Sequence, residues 1–259
     1  MYFIDVQGTL ITDTDKTAVN GAVDFIDHLN RENIPFMIVT NNTKQLSSVL
    51  FDYLVGLGFD LDKDFYIDPL MLLDSCVEHK HVAAYGEESF LQTLLEKGYV
   101  LDYENPQSVI IGSKHNYTGE DFAQIIDFLL RGVKLMGMHE ITLYAKDGKR
   151  YPGTGAILEM LKAATLHEYE IIGKPSSIFY SLAKKALGDG IEFEDITMIS
   201  DDLKGDLVGA KQLGMKTVFV LCGKYKTAEE IVPFIEEDCR PDYICSDMSD
   251  VLQQLKGKK

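Results

Sequence analysis

Four stretches of this 259-residue chain place chemistry-bearing side chains directly after apolar runs or turns. In the first, Tyr2-Phe3-Ile4 runs into Asp5, with Gln7, Gly8 and Thr9 behind it. In the second, Phe36-Met37-Ile38-Val39 ends at Thr40, Asn41 and Asn42. The third is Gly173-Lys174-Pro175, and the fourth is Ile199-Ser200-Asp201-Asp202 running to Asp206. A carboxylate at the carboxyl end of a buried strand stands in the usual ligand position of an open α/β sheet. It is a costly place for a charge unless a metal, a cation or backbone N–H groups compensate it. Taken alone, the first stretch suits a functional Asp5 and an Asp that merely ends the strand equally well. Thr40 alone reads as a strand-end hydroxyl and Lys174 alone as a solvated lysine. The acidic trio alone reads as a helix N-terminus, where carboxylates suit the helix dipole.

The order of these groups breaks the tie. Carboxylate, hydroxyl, lysine and paired carboxylates, taken with Asp5-Val6-Gln7-Gly8-Thr9-Leu10, resemble the haloacid dehalogenase superfamily. The closer resemblance is to its NagD-type phosphatases, which carry an α/β cap between the second and third motifs. The four motifs span Asp5 to Asp206, so the likeness covers essentially the whole chain. Two positions depart from the pattern. Gln7 stands where the family has a second Asp, and Ser200 stands where it has Gly.

The resemblance implies a phosphoryl-transfer site. Such chemistry needs an in-line nucleophile, neutralisation of the phosphoryl oxygens and usually a metal. Asp5 is the expected nucleophile, passing through an aspartyl-phosphate. Magnesium prefers hard oxygen ligands. Its expected ligands are Asp5, Asp201, the main-chain carbonyl of Gln7 and, near the metal or holding Lys174, Asp206. Substrate binding falls to Gly8, Thr40, Asn41, Asn42 and Lys174, with Thr40 and Lys174 also catalytic. Because a carbonyl is indifferent to its side chain, Gln7 should leave the metal site intact. An amide cannot titrate, however, and loss of acid–base help costs on the order of 10²–10⁴-fold. Slow hydrolysis is therefore expected. The alternatives are a phosphate-ligand binding protein without turnover and a phosphotransferase. A dehalogenase is disfavoured by the Asp201 and Asp206 carboxylates, which point to a metal.

The bulk numbers fit that reading. Lys plus Arg less Asp plus Glu is 25 − 41 = −16, against a nucleic-acid groove or an anionic membrane surface. With 46% hydrophobic and 25% charged residues the chain reads as an ordinary globular protein of one or two domains. The four cysteines show no Cys-x-x-Cys spacing, so reduced thiols in a cytoplasmic protein are expected. No signal peptide is visible. No apolar run approaches the roughly 20 residues that span a bilayer. The Gly-Lys pairs at Gly148, Gly173, Gly223 and Gly257 lack the upstream glycine of a P-loop. The expected partner is a small phosphorylated molecule; the oligomeric state is left open, a homodimer included.

The elements that must position these groups follow from periodicity. Asn20 precedes a helix with Ala22, Phe25, Ile26 and Leu29 at helical spacing, and 43–57 is helical after the second strand. That is a βαβ unit of a parallel sheet. Further strands are expected at 82–85, 108–111, 141–145, 196–200, 217–221 and 243–245. Helices are expected at 87–97, 119–131, 155–166, 175–187, 204–213, 227–236 and 247–255. The fold class is α/β: a doubly wound, Rossmann-like core over 1–78 and 172–259, with a smaller α/β cap at 79–171. The cap should set specificity. Asn116, Tyr117, His139, Tyr144 and Tyr151 are polar or amphipathic there, and Pro152-Gly153-Thr154-Gly155 is either a plain turn or an anion cradle at a helix start.

Overall fold

The computed structural model describes residues 1–146 and 149–257. The Gly-Lys pairs at Gly148 and Gly257 lie partly outside the described residues. The chain falls into two units. The first comprises Met1–Thr40, Ser48–Ile67 and Tyr180–Lys259; the second comprises Asn41–Ser47 and Asp68–Phe179. The second unit is larger than the 79–171 expected for the cap. Polar contacts within this unit join its two segments. The Asn42 amide donates to Asp68 Oδ2 at 3.1 Å and the Ser47 hydroxyl to Asp68 Oδ1 at 2.8 Å. The Asn41 side chain grips the backbone of Lys174.

The first unit is built on a parallel sheet of β1 (Tyr2–Ile4), β2 (Phe36–Val39), β3 (Tyr66–Ile67), β11 (Thr197–Ser200), β12 (Lys216–Val220) and β13 (Tyr243–Cys245). Their order is β13-β12-β11-β1-β2-β3. Chain order runs outward in both directions from β1, so the topological switch lies between β1 and β11, where ligands of such sheets bind. The register pairs Ile4 with Ile199 on one side and with Ile38 on the other. These strands lack a polar face because both faces are covered, as in parallel sheets generally. Phe3, Ile4, Ile38, Val39, Met198 and Ile199 are all buried. Between β1 and β2, α1 (Ala22–Arg31) buries Ala22, Phe25, Ile26, His28 and Leu29.

The second unit has a parallel sheet of its own. Its strands are β4 (His81–Tyr85), β5 (Val100–Leu101), β6 (Ser108–Ile111), β7 (Lys134–Gly137) and β10 (Tyr169–Ile171). They lie side by side in the order β10-β7-β6-β4-β5. An antiparallel hairpin joins β8 (Leu143–Lys146) to β9 (Lys149–Pro152).

Several local expectations are corrected. Asn20 is not the N-cap of α1; Gly21 is, and the Asn20 amide instead donates to Asp247 at 2.8 Å. The helix expected at 227–236 is a series of 3-10 turns at Ala228–Glu230, Val232–Phe234 and Glu237–Cys239, because Pro233 supplies no N–H for a continuous helix. The helix expected at 204–213 opens as a π turn, Leu203–Leu207, before α8 (Val208–Gln212). The strand at 141–145 is one arm of the hairpin, whose partner β9 was not anticipated; nor were β3, β5, β7 and β10. Among the described residues no helix is long and apolar enough to cross a membrane.

Candidate active site

Three neighbouring strands of the first unit each end at a predicted site residue. Asp5 follows β1, Thr40 follows β2 and Asp201 follows β11. All three are buried, at 6%, 2% and 2% exposure. Parallel pairing aligns their carboxyl ends, which is why groups so far apart in sequence share one edge of the sheet. Backbone ladders seat them: Asp5 N–H donates to Ile199 O at 3.0 Å and Thr40 N–H to Ile67 O at 3.2 Å.

Thr9 ties two of them together. Its hydroxyl donates to Asp5 Oδ2 at 3.4 Å and accepts the Asp201 N–H at 3.1 Å. Thr9 is fully buried. In the sequence Thr9 carries no signal beyond its place after Gly8.

The Asp201 carboxylate lies in a cradle with little clearance. A Cβ at Gly8 would stand 2.2 Å from Asp201 Oδ2, and one at Gly223 would stand 1.8 Å from it. Gly8 also has a φ of +79°, a conformation costly to any other residue. The Lys224 N–H donates to Asp201 Oδ2 at 2.7 Å. Burial, and after it the negative charge of Asp5, pushes the Asp201 carboxyl well above the usual carboxylate range; the Lys224 N–H works the other way. Gly223 and Lys224 follow β12, a fourth strand end. The pair has no P-loop glycine upstream. Its signal was its position straight after an apolar strand. The adjacent Cys222 thiol donates to Gly8 O at 3.1 Å; burial, and then Asp201, pushes it up to about 12.

Asp202 and Asp206 are held by the π turn. Asp202 caps it, accepting the Gly205 N–H at 3.0 Å, and its other oxygen takes the Lys224 ammonium. Burial works against that ammonium, but Asp202, by charge and hydrogen bond, together with the charges of Asp201 and Asp206, holds Lys224 above the ordinary lysine value. Asp206 accepts the Ser200 hydroxyl at 2.7 Å, and Ser200 Oγ accepts the Asp202 N–H at 3.0 Å. Ser200, the departure from the family's Gly, thus supplies a hydroxyl that fixes both acids. Gln7 is exposed, just outside the buried set.

The remaining predicted residues belong to the second unit. Lys174 is 1% exposed. Its N–H donates to Asn41 Oδ1 at 2.8 Å, and Asn41 Nδ2 donates back to Lys174 O at 3.3 Å. Gly173 permits this approach, since a Cβ there would stand 2.5 Å from Asn41 Oδ1. The Asn42 amide is also engaged, with Gln45 O at 2.8 Å and Asp68. Both asparagine side chains therefore serve as anchors within the second unit. Of the cap residues, His139 sits between Ser113 Oγ at 3.1 Å and Thr154 Oγ1 at 3.4 Å, while Tyr144 stacks on Tyr151. The start of α6 (Thr154–Thr165) is a plain turn: the Gly153 and Gly155 N–H groups already donate to Thr142 O and Ile141 O.

The donor set suits a hard divalent cation. Two buried carboxylates of like charge at adjacent strand ends need compensation, and their oxygens are the ligand type that magnesium-class ions take. Among the described residues no three His, Cys, Asp or Glu side chains converge as a metal cage. Asp206, for its part, accepts the Ser200 hydroxyl.

Comparison with known proteins agrees with this fold. Residues 2–100 match the family model described as haloacid dehalogenase-like hydrolase, and residues 171–251 match one described as HAD-hydrolase-like. The chain is 29% identical to haloacid dehalogenase-like hydrolase domain-containing protein 2 of Bos taurus, over 88% of this chain and 86% of that protein. It is 27% identical to the acid sugar phosphatase of Staphylococcus haemolyticus, over 98% of this chain and 96% of that one. In three dimensions it resembles the p-nitrophenyl phosphatase from Archaeoglobus fulgidus with a TM-score of 0.83, at 23% identity and 98% coverage of both chains.

Proposed function

We propose that the chain is a magnesium-dependent phosphatase of small phosphorylated metabolites, of the haloacid dehalogenase-like hydrolase type whose family models match residues 2–100 and 171–251. The observation that carries this reading is the pair of buried acids, Asp5 and Asp201, at adjacent strand ends and bridged through Thr9. The relatives named acid sugar phosphatase and p-nitrophenyl phosphatase support the substrate class.

Asp5 is the nucleophile. Its oxygen forms the bond to phosphorus as the bond to the leaving oxygen breaks, and the electron pair departs with that oxygen, which takes its proton from solvent water. Water then attacks the aspartyl-phosphate, releasing phosphate and restoring the Asp5 carboxylate. Asp5, Asp201 and the Gln7 carbonyl would hold the magnesium ion. When bound, the ion supplies charge neutralisation to the phosphoryl oxygens. Thr40 donates its hydroxyl to a phosphoryl oxygen, and backbone N–H groups near Asn41 assist. Lys174 is the charge-neutralising cation, a role supported by motif order and by its burial. Gln7 can neither protonate the leaving oxygen nor activate water. Turnover is accordingly slow, and substrates with acidic leaving groups suffer least. The four free thiols suit a reducing, cytoplasmic compartment.

The test is hydrolysis of nitrophenyl phosphate with magnesium. Activity is expected, abolished by Asp5→Asn and by EDTA. Activity that survives either treatment overturns the proposal. Gln7 also favours a second reading, a phosphotransferase whose aspartyl-phosphate outlives the first step. That reading requires phosphate to pass to added alcohols in preference to water.

A further inference from the structure

The loop after β12 brings a lysine beside the proposed cation site, and the lysine is turned away from the carboxylate one expects it to seek. The Lys224 N–H holds Asp201 Oδ2 at 2.7 Å, so the residue is fixed against that acid. Its ammonium nevertheless pairs with Asp202 Oδ2, whose other oxygen is committed to the Gly205 N–H. Asp202 is only 14% exposed, and Lys224 36%. The two acids are sequence neighbours, and the Lys224 ammonium is drawn by Asp202 first, then by Asp201 and Asp206. Without Asp202 the ammonium would have Asp201 as the next carboxylate to settle on. There it would meet the same oxygens a cation needs.

We propose that Asp202 parks the Lys224 ammonium, keeping it off Asp201 so that the Asp201 carboxylate stays open to a divalent cation. The inference rests on the magnesium reading above and gives a role to Asp202, which the fourth motif contains without one, and to Lys224, which lies outside the motifs. Lys224 and Asp202 are positioning residues here: neither is a ligand, and both act through Asp201. The arrangement has a distinctive arithmetic. Removing Asp202 alone frees a competing positive charge. Removing Lys224 alone, or both, leaves no competitor.

Magnesium binding to the full chain, measured by titration calorimetry and by thermal shift with no substrate present, decides the matter. Asp202→Asn retains an oxygen for the Gly205 N–H, so the cap survives. It should weaken magnesium binding on the order of tenfold, the scale of one unit charge newly placed a few ångströms away in partly solvated surroundings. Lys224→Met should bind magnesium at least as tightly as the parent. The double variant Asp202→Asn/Lys224→Met should recover the affinity that Asp202→Asn loses. A purely structural role predicts the opposite, with the double variant as weak as the single one. That result, or an Asp202→Asn variant that binds like the parent, overturns the proposal while leaving the magnesium reading in place. A parent protein that binds no magnesium overturns both.

Discussion

Removing the charge of Asp201 should stabilise the protein while abolishing its response to magnesium. Adjacent strands lie about 4.8 Å apart, and Asp5 and Asp201 leave neighbouring strands, β1 and β11. Two unit charges at roughly 5 Å repel by roughly 3 kcal/mol at an effective dielectric constant near 20. Asn at position 201 keeps an oxygen for the Lys224 N–H, but a neutral acceptor is weaker by about 1 kcal/mol. The net gain for Asp201→Asn without divalent cation is then about 2 kcal/mol, a rise in Tm of roughly 4–8 °C. The pH dependence has a fixed sign. The folded Asp201 carboxyl lies above its ordinary value of 3.8. Below that value the group is protonated in both states and the two proteins should be equally stable. As pH rises through it the unfolded group ionises first, so the parent loses stability that the variant keeps. Thermal unfolding in EDTA and in magnesium, from pH 3 to pH 8, measures both effects. The reasoning is refuted if the variant is less stable than the parent in EDTA at neutral pH, or if magnesium still raises its Tm.

Other outcomes follow from single contacts. Gln7→Asp restores a titratable group at the exposed edge of the site and should raise phosphatase kcat at least about tenfold; an unchanged kcat would place the deficit elsewhere. Gly8→Ala forces a Cβ to 2.2 Å from Asp201 Oδ2 at a φ of +79°. It should cost roughly 1–3 kcal/mol in denaturant unfolding and blunt the magnesium-induced rise in Tm. Cys222, pushed up to about 12 by burial, carries on the order of one part in ten thousand thiolate at pH 8. Iodoacetamide labelling of the folded protein followed by peptide mass spectrometry should find Cys222 essentially unmodified there.

Much of the site was legible because its residues sit where strands stop. An apolar run followed by Asp or Thr is a local signal, and β1, β2 and β11 obeyed it. The anchors were not legible. Nothing in the sequence says that Asn41 grips the backbone of Lys174, or that Asn42 is spent on Asp68 and Gln45. The short strands β3 and β5 carry two residues each, too few for any period to show. The helix expected at 227–236 failed because its apolar spacing was sound while Pro233 withdrew a backbone donor.

The amino-acid sequence by itself determined which groups are available: a strand-end acid near the start, a hydroxyl, a lysine, two later acids, and an amide in place of a titrating partner. Local patterning sufficed for these because side-chain type and strand propensity are properties of a few adjacent residues. Only the tertiary structure decided that Asp5 and Asp201 share one edge of a sheet, that Thr9 joins them, and that Gly8 and Gly223 press against the Asp201 carboxylate. Those relations depend on which strands pair and in what register, and pairing is settled by the packing of the whole sheet.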